Sequence, residues 1–161
     1  MDRFEGLPPY PNGWYQIAYS DEIAPGQVEP LHYFGEDLVL FRSENGTLSV
    51  LDAHCSHMGA HLGYGGRVCG QTIECPFHAW KFDADGKCVD IPYAQKIPTK
   101  SPMRSWAVTE MNSAVFLWFH SQNEAPQWQI EAIPQIDDEE NWAYFERRRW
   151  KIKSRNQEMA E

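Results

Sequence analysis

The sequence predicts a mainly β fold made of antiparallel strands. Short apolar or alternating runs follow one another from Gly13 to about His120, turn dipeptides fall between them, and no stretch there keeps a helical period. Asn45-Gly46 and Asp85-Gly86 are the strongest of these turns. A two-residue connection needs positive φ angles, which Gly and Asn tolerate, and so short a link can join only antiparallel neighbours.

Taken in order, the runs place strands at Trp14 to Tyr19, Glu29 to Phe34, Leu38 to Arg42, Leu48 to Asp52, Thr72 to Glu74, Ala79 to Phe82, Trp106 to Met111 and Ala114 to Phe119. From Ser121 to Asn141 the composition shifts to Gln, Asn, Glu, Pro and Asp, with isolated Trp128, Ile130, Ile133 and Ile136. That pattern predicts an extended linker pinned to a surface. Trp142 to Ile152 again has strand character, and Ser154 to Glu161 resembles a cap followed by one helical turn. A helix beginning there has almost nothing to pack against, so the expectation is one domain over 1–120, a linker over 121–141, and the opening strand and helix of a further domain over 142–161.

A chain of 161 residues supports one full core and a small appendage. Its formal charge of −9 argues against nucleic acid, whose phosphate backbone calls for clustered positive charge. The one basic cluster, Arg147-Arg148-Arg149 with Lys151, Lys153 and Arg155, follows the acidic Asp137-Asp138-Glu139-Glu140, and reads as a solvated face or an intersubunit pairing. The absence of an apolar run after Met1-Asp2-Arg3-Phe4-Glu5, or of an eighteen-residue apolar stretch elsewhere, leads to the expectation of a cytoplasmic protein with no membrane span. In such a compartment four cysteines, Cys55, Cys69, Cys75 and Cys88, are better explained by metal than by two disulfides, and their spacing has to decide.

The spacing singles out Cys55-Ser56-His57 and, after seventeen residues, Cys75-Pro76-Phe77-His78. Each segment offers one thiolate and one imidazole in a chelating bite, and two hairpin tips side by side could present all four. If Cys55 and Cys75 hold one iron and His57 and His78 the other, the result is a [2Fe-2S] cluster with two histidines on one iron. Thiolates suit an inner ferric site; neutral imidazoles donate less charge, so the histidine-bound iron would accept the electron at the solvent edge. The same four donors also satisfy a tetrahedral zinc ion.

The surroundings of the ligands carry a resemblance. Leu51-Asp52-Ala53-His54-Cys55-Ser56-His57-Met58-Gly59-Ala60-His61-Leu62 and Cys75-Pro76-Phe77-His78-Ala79-Trp80-Lys81-Phe82-Asp83 resemble the Rieske oxygenase family, and the likeness extends to Trp14, the Gly46 hairpin and Asp85-Gly86-Lys87-Cys88. It implies a Rieske-type antiparallel β-sandwich with two cluster-binding hairpin loops, plus a remnant of an α+β catalytic domain. Quinol-oxidising relatives carry an extra cysteine in each loop and a serine after the second histidine; here those positions are Ala60, Phe77 and Trp80. A potential toward the bottom of the roughly −150 to +300 mV Rieske range is therefore implied, which suits an oxygenase. Within the family the likeness is to the sterol and steroid group, of 3-ketosteroid 9α-hydroxylase and cholesterol 7-desaturase type, on Cys55-Ser56-His57-Met58-Gly59, Ile91-Pro92-Tyr93-Ala94-Gln95-Lys96-Ile97-Pro98, Ala114-Val115-Phe116-Leu117-Trp118-Phe119-His120 and Ile133-Pro134-Gln135-Ile136. Ser56 and Met58 depart from the Cys-Pro-His-Arg-Gly loop of many ring-hydroxylating relatives.

The resemblance implies an oxygenase component of hydroxylase or monooxygenase type. A ferredoxin or flavin-dependent reductase would deliver electrons, the cluster would relay them, and a mononuclear Fe(II) held by two His and one Asp would receive them, in an assembly that is often a homotrimer. No His follows His120, so the catalytic iron is expected in a domain that these residues only begin. A stand-alone Rieske ferredoxin is the alternative, against which the Ser121 to Glu161 extension counts. Around the ligands, Gly59 is expected to let backbone amides approach a bridging sulfide, and Trp80 to screen the cluster and pack the second loop. Cys69 and Cys88 read as small buried hydrophobes, His54 and His61 as polar loop residues, His32 and His120 as surface residues, and Phe116, Trp118 and Phe119 as core.

Overall fold

The computed structural model describes residues 9–97, 102–136, 138 and 140–143. The expected strand at Trp142 to Ile152, the helical turn at Ser154 to Glu161 and the basic cluster from Arg147 onward lie outside these residues, Trp142 and Ala143 excepted. Among the described residues there are eleven strands and no α-helix: β1 Gly13–Tyr19, β2 Val28–Tyr33, β3 Glu36–Arg42, β4 Leu48–Asp52, β5 Arg67–Cys69, β6 Thr72–Glu74, β7 Lys81–Phe82, β8 Cys88–Asp90, β9 Ser105–Trp106, β10 Val108–Met111 and β11 Ala114–Phe119. They form three antiparallel sheets in the orders β1-β11-β10, β2-β3-β4-β9 and β5-β6-β7-β8.

The middle sheet is buried on both faces, which is why Leu38-Val39-Leu40-Phe41 reads as a continuous apolar run. Successive side chains of a strand point to opposite faces. Leu38, Leu40 and Val50 accordingly join Ile17, Ile23, Val115 and Leu117 in one core, while Val39, Phe41 and Leu51 join Leu62, Ile73, Phe82 and Ile91 in the other. The second core also contains Cys55, Cys75 and Trp80. The site thus grows directly out of packed hydrophobic structure.

Arg42, at the end of β3, ties the first two sheets together. Its guanidinium makes a bidentate pair with Glu110 of β10, with distances of 2.8 and 3.0 Å, and donates to the carbonyls of Ile23, Gly46 and Ser20. Such a fork over several acceptors satisfies an otherwise costly buried charge. The pair holds the Glu110 carboxyl below its usual range.

Three sequence expectations need correction. The strand expected at Ala79 to Phe82 shortens to Lys81–Phe82, because Ala79 takes a left-handed φ of +55°. Trp106 to Met111 divides at Ala107: Trp106 pairs with Val50 in the middle sheet, whereas Val108 pairs with Leu117 in the first. Trp106 is held back by its indole, which donates to Asp52 Oδ1 at 2.8 Å. Third, β5 and β8 are added; three residues each are too short to show a period. The 121–136 stretch is pinned less by burying its apolar side chains, since Trp128 and Ile133 are about half exposed, than by hydrogen bonds. Trp14 and Trp118 donate from their indoles to the carbonyls of Trp128 and Glu124, and Asn112 brackets Glu131 and Ile133.

Candidate metal centre

Two loops, Cys55 to Ala60 and Cys75 to Trp80, share one backbone frame. In the first, the Cys55 N–H donates to Ala60 O at 2.9 Å and the Gly59 N–H donates to Cys55 O at 2.8 Å. In the second, the Cys75 N–H donates to Trp80 O at 2.8 Å and the Ala79 N–H donates to Cys75 O at 3.0 Å. Each turn closes through a residue in the left-handed region, Gly59 at φ +74° and Ala79 at φ +55°. Glycine accepts that conformation freely, whereas alanine meets a steric cost. The two frames repeat the same pair of hydrogen bonds at the same spacing, but the histidine comes two places after the cysteine in the first loop and three in the second.

The frame points the thiols inward. Cys55 and Cys75 are almost fully buried, and their thiols lie within hydrogen-bonding reach of each other. Burial pushes the Cys55 thiol up to about 11; the neighbouring Cys75 adds to this, while the backbone N–H groups of His57 and Met58 directed at the sulfur oppose it. A buried Cys55 thiol that resists ionisation, set beside a second buried thiol, is a poor resting arrangement and a good thiolate site once a cation supplies the missing charge.

The imidazoles take the outer position. His57 is exposed and His78 half-buried, with ring centroids 4.7 Å apart at 70°. Four donors from two loops are thus brought together, sulfurs within and nitrogens without. Two sulfurs on one side and two nitrogens on the other are the donor set a [2Fe-2S] group with unlike irons requires, so the residues present fit it. Among the described residues no three His, Cys, Asp or Glu side chains gather closely enough to hold a single ion.

The flanking residues fall into place around this set. The Gly59 N–H is engaged by Cys55 O, so what Gly59 contributes is the turn; the amides facing sulfur are those of His57 and Met58. Trp80 is buried and stacks on His57, centroids 4.4 Å apart and 7° from parallel, while its indole N–H donates to Tyr93 Oη at 2.7 Å. Met58, Phe77, Tyr64 and Tyr93 leave an exposed apolar rim.

His54 and His61 turn away from the donors. His54 Nδ1 donates to Gly59 O at 3.1 Å and its Nε2 lies 3.3 Å from Asp37 Oδ2; His61 Nδ1 accepts from the Gly63 N–H at 3.0 Å. Hydrogen bonds from His32 and then His54 hold the Asp37 carboxyl below its usual range, and burial lowers His61. His32 is exposed as expected, but His120 is buried: its ring stacks on Trp118 and its Nδ1 accepts from the N–H groups of Gln122 and Glu124. The local reason is the turn after β11, which folds back over the ring. Cys69 and Cys88 are half-buried free thiols, near Glu74 Oε2 and Asp90 O respectively. Phe116 and Phe119 are half-buried, Trp118 fully. Nothing in the sequence assigns Tyr93 a role; the available signal is a tyrosine beside Pro92, in the turn immediately after β8.

Comparisons with known proteins support the family resemblance carried by these loops. The family described as Rieske [2Fe-2S] domain matches residues 13–103. Cholesterol 7-desaturase nvd 1 of Ciona intestinalis is 48% identical over 133 residues, which are 82% of this chain and 28% of that protein. A dicamba monooxygenase bound to dicamba superposes with a TM-score of 0.67 at 25% identity, over 80% of this chain and 38% of that one. In the reduced complex between oxygenase and ferredoxin in carbazole 1,9a-dioxygenase, the matching chain gives a TM-score of 0.61 at 30% identity, over 72% and 32% of the two chains. The chain spans about a third of the length of the curated relatives it matches. With paired loops of this geometry and more than half its length matched, the chain belongs to the Rieske [2Fe-2S] domain family.

Proposed function

We propose that Cys55 and Cys75 bind the inner iron and His57 and His78 the outer iron of a Rieske [2Fe-2S] cluster that passes single electrons. The observation that carries this reading is the inward pair of buried thiols beneath an outward pair of imidazoles on matched loop frames. When bound, the cluster supplies a one-electron couple centred on the imidazole-ligated iron. The chain's own residues do the rest. The core around Phe41, Leu51, Ile73 and Phe82 keeps water from the sulfurs, the His57 and Met58 amides offset thiolate charge on Cys55, and the exposed edge of His57 offers a short path to a partner.

The acceptor in this proposal is a mononuclear iron in an oxygenase catalytic domain that begins near residue 142, with residues 121–141 linking it to a Rieske domain over 1–120. A ferredoxin or flavin-dependent reductase is the donor, for which the ferredoxin complex of carbazole 1,9a-dioxygenase offers a parallel. Similarity to a cholesterol 7-desaturase supports a sterol or steroid as the substrate of the whole enzyme. Expression with iron and sulfide tests the first part: a red-brown protein with iron and acid-labile sulfide in equal amounts is expected. A colourless protein loaded with one zinc would reject it.

A further inference from the structure

We propose that Tyr93 is a positioning residue for the cluster, acting through Trp80 to fix the plane of the His57 ring; this rests on the reading of His57 as an iron ligand. The geometry is a chain of three aromatic groups from three segments. His57, at the tip of the first loop, lies 4.4 Å from Trp80 and 7° from parallel with it. Trp80 belongs to the second loop, where its carbonyl accepts the Cys75 N–H and its indole N–H meets Tyr93 Oη at 2.7 Å. Tyr93 follows β8 on a turn closed by the Ala94 N–H on Ile91 O, and Ile91 is buried in the core that holds both cysteines.

Each link has a reason. An exposed imidazole at a loop tip has a soft terminal torsion, which a flat partner restricts. An indole face can restrict it only if the indole is itself prevented from rotating, and a hydrogen bond at its polar edge does that while satisfying a nearly buried donor. Tyr93 is 63% exposed, so its ring adds little to the core, and the part of it directed inward is the hydroxyl. A residue that contributes one acceptor and little packing is better placed to orient than to stabilise. Because the electron-rich indole face favours positive charge on the ring beside it, the stack favours the oxidised state of an iron ligated by that ring. The Tyr93–Trp80 bond therefore sets ligand orientation and, with it, the reduction potential.

The test compares the iron-loaded parent chain with Y93F, W80F and the double variant. In Y93F, iron and sulfide content should match the parent and the thermal midpoint should fall slightly as the indole N–H loses its acceptor, whereas the g values of the reduced protein should shift and spread and the midpoint potential should rise. In the W80F background, adding Y93F should change neither quantity further, since the path from Tyr93 to His57 would already be cut. Should W80F fail to load, the His57 ring-proton shifts of the metal-free parent and Y93F decide: the stacked indole moves them upfield, and Y93F should return them toward free-imidazole values. Parent-like g values, potential or ring shifts in Y93F would overturn the proposal, as would an undiminished Y93F effect on top of W80F. A parent protein whose spectrum lacks two coordinated imidazoles would instead defeat the ligand assignment.

Discussion

The two cluster loops are the same backbone device carrying different side chains. Both use a cysteine that donates five residues ahead and accepts from four residues ahead, yet the first loop closes on Gly59 and the second on Ala79. The first is braced on its outside by His54 and Asp37, the second by the Trp80–Tyr93 bond. The histidine register also differs by one residue, which lets two like frames present their imidazoles edge to face rather than at matching positions. Backbone geometry thus places the sulfurs alike, and the side chains make the two halves of the site unlike.

If the sulfurs are equivalent, C55S and C75S should behave alike. Each should lower iron and sulfide content to roughly a tenth of the parent's or less, measured by metal and sulfide analysis. Retention of a full cluster by either variant alone would break the equivalence. A second test exploits the Cys55 thiol, pushed up from 9.0 to about 11 in the metal-free fold. Above pH 9 the unfolded chain releases this proton while the folded one retains it, so the metal-free protein should lose stability as pH rises from about 9 to about 11. Denaturant titrations across that window should show a shallower loss in C55S than in the parent.

The left-handed closures predict a smaller and asymmetric pair of effects. G59A adds a Cβ at φ +74° with nothing within 4 Å to clash, so it should cost about 1 kcal/mol through backbone strain alone. A79G relieves that strain in the second loop but frees the unfolded chain, so the two effects offset and its net cost should be clearly smaller than that of G59A. Equal costs for the two substitutions in chemical denaturation would mean that the loops are not the matched frames described. The smallest effect belongs to Glu110, remote from both loops. Its pKa is depressed by Arg42, so its contribution is present above pH 4.5 and lost as pH falls through the lowered value. E110Q should flatten the acid limb of the stability profile and leave cluster content unchanged.

Much of this was legible in the sequence, for identifiable reasons. Chelating bites are local, so Cys55, His57, Cys75 and His78 could be read as one set, and apolar or alternating runs of four or more residues located β1 to β4 and β11. What escaped reading depends on distant partners. Ala79 gives no hint of a positive φ because the Cys75 frame imposes it. Trp106 leaves its neighbour's sheet because Asp52, far off in the chain, holds its indole. His120 is buried by a turn that follows it, and Tyr93 gains its role only from a tryptophan on another loop. β5 and β8 have too few residues to show a period, and their pairing is fixed by β6 and β7.

The central claim is that the outer iron is held by the two imidazoles and the inner iron by the two thiols. Nitrogen-sensitive pulsed EPR on the reduced protein, with its histidines labelled with nitrogen-15, measures this directly. Two strongly coupled imidazole nitrogens are predicted, with one lost or altered in each of the His57 and His78 variants. A spectrum with no strongly coupled nitrogen, or one that both variants leave unchanged, would contradict the assignment.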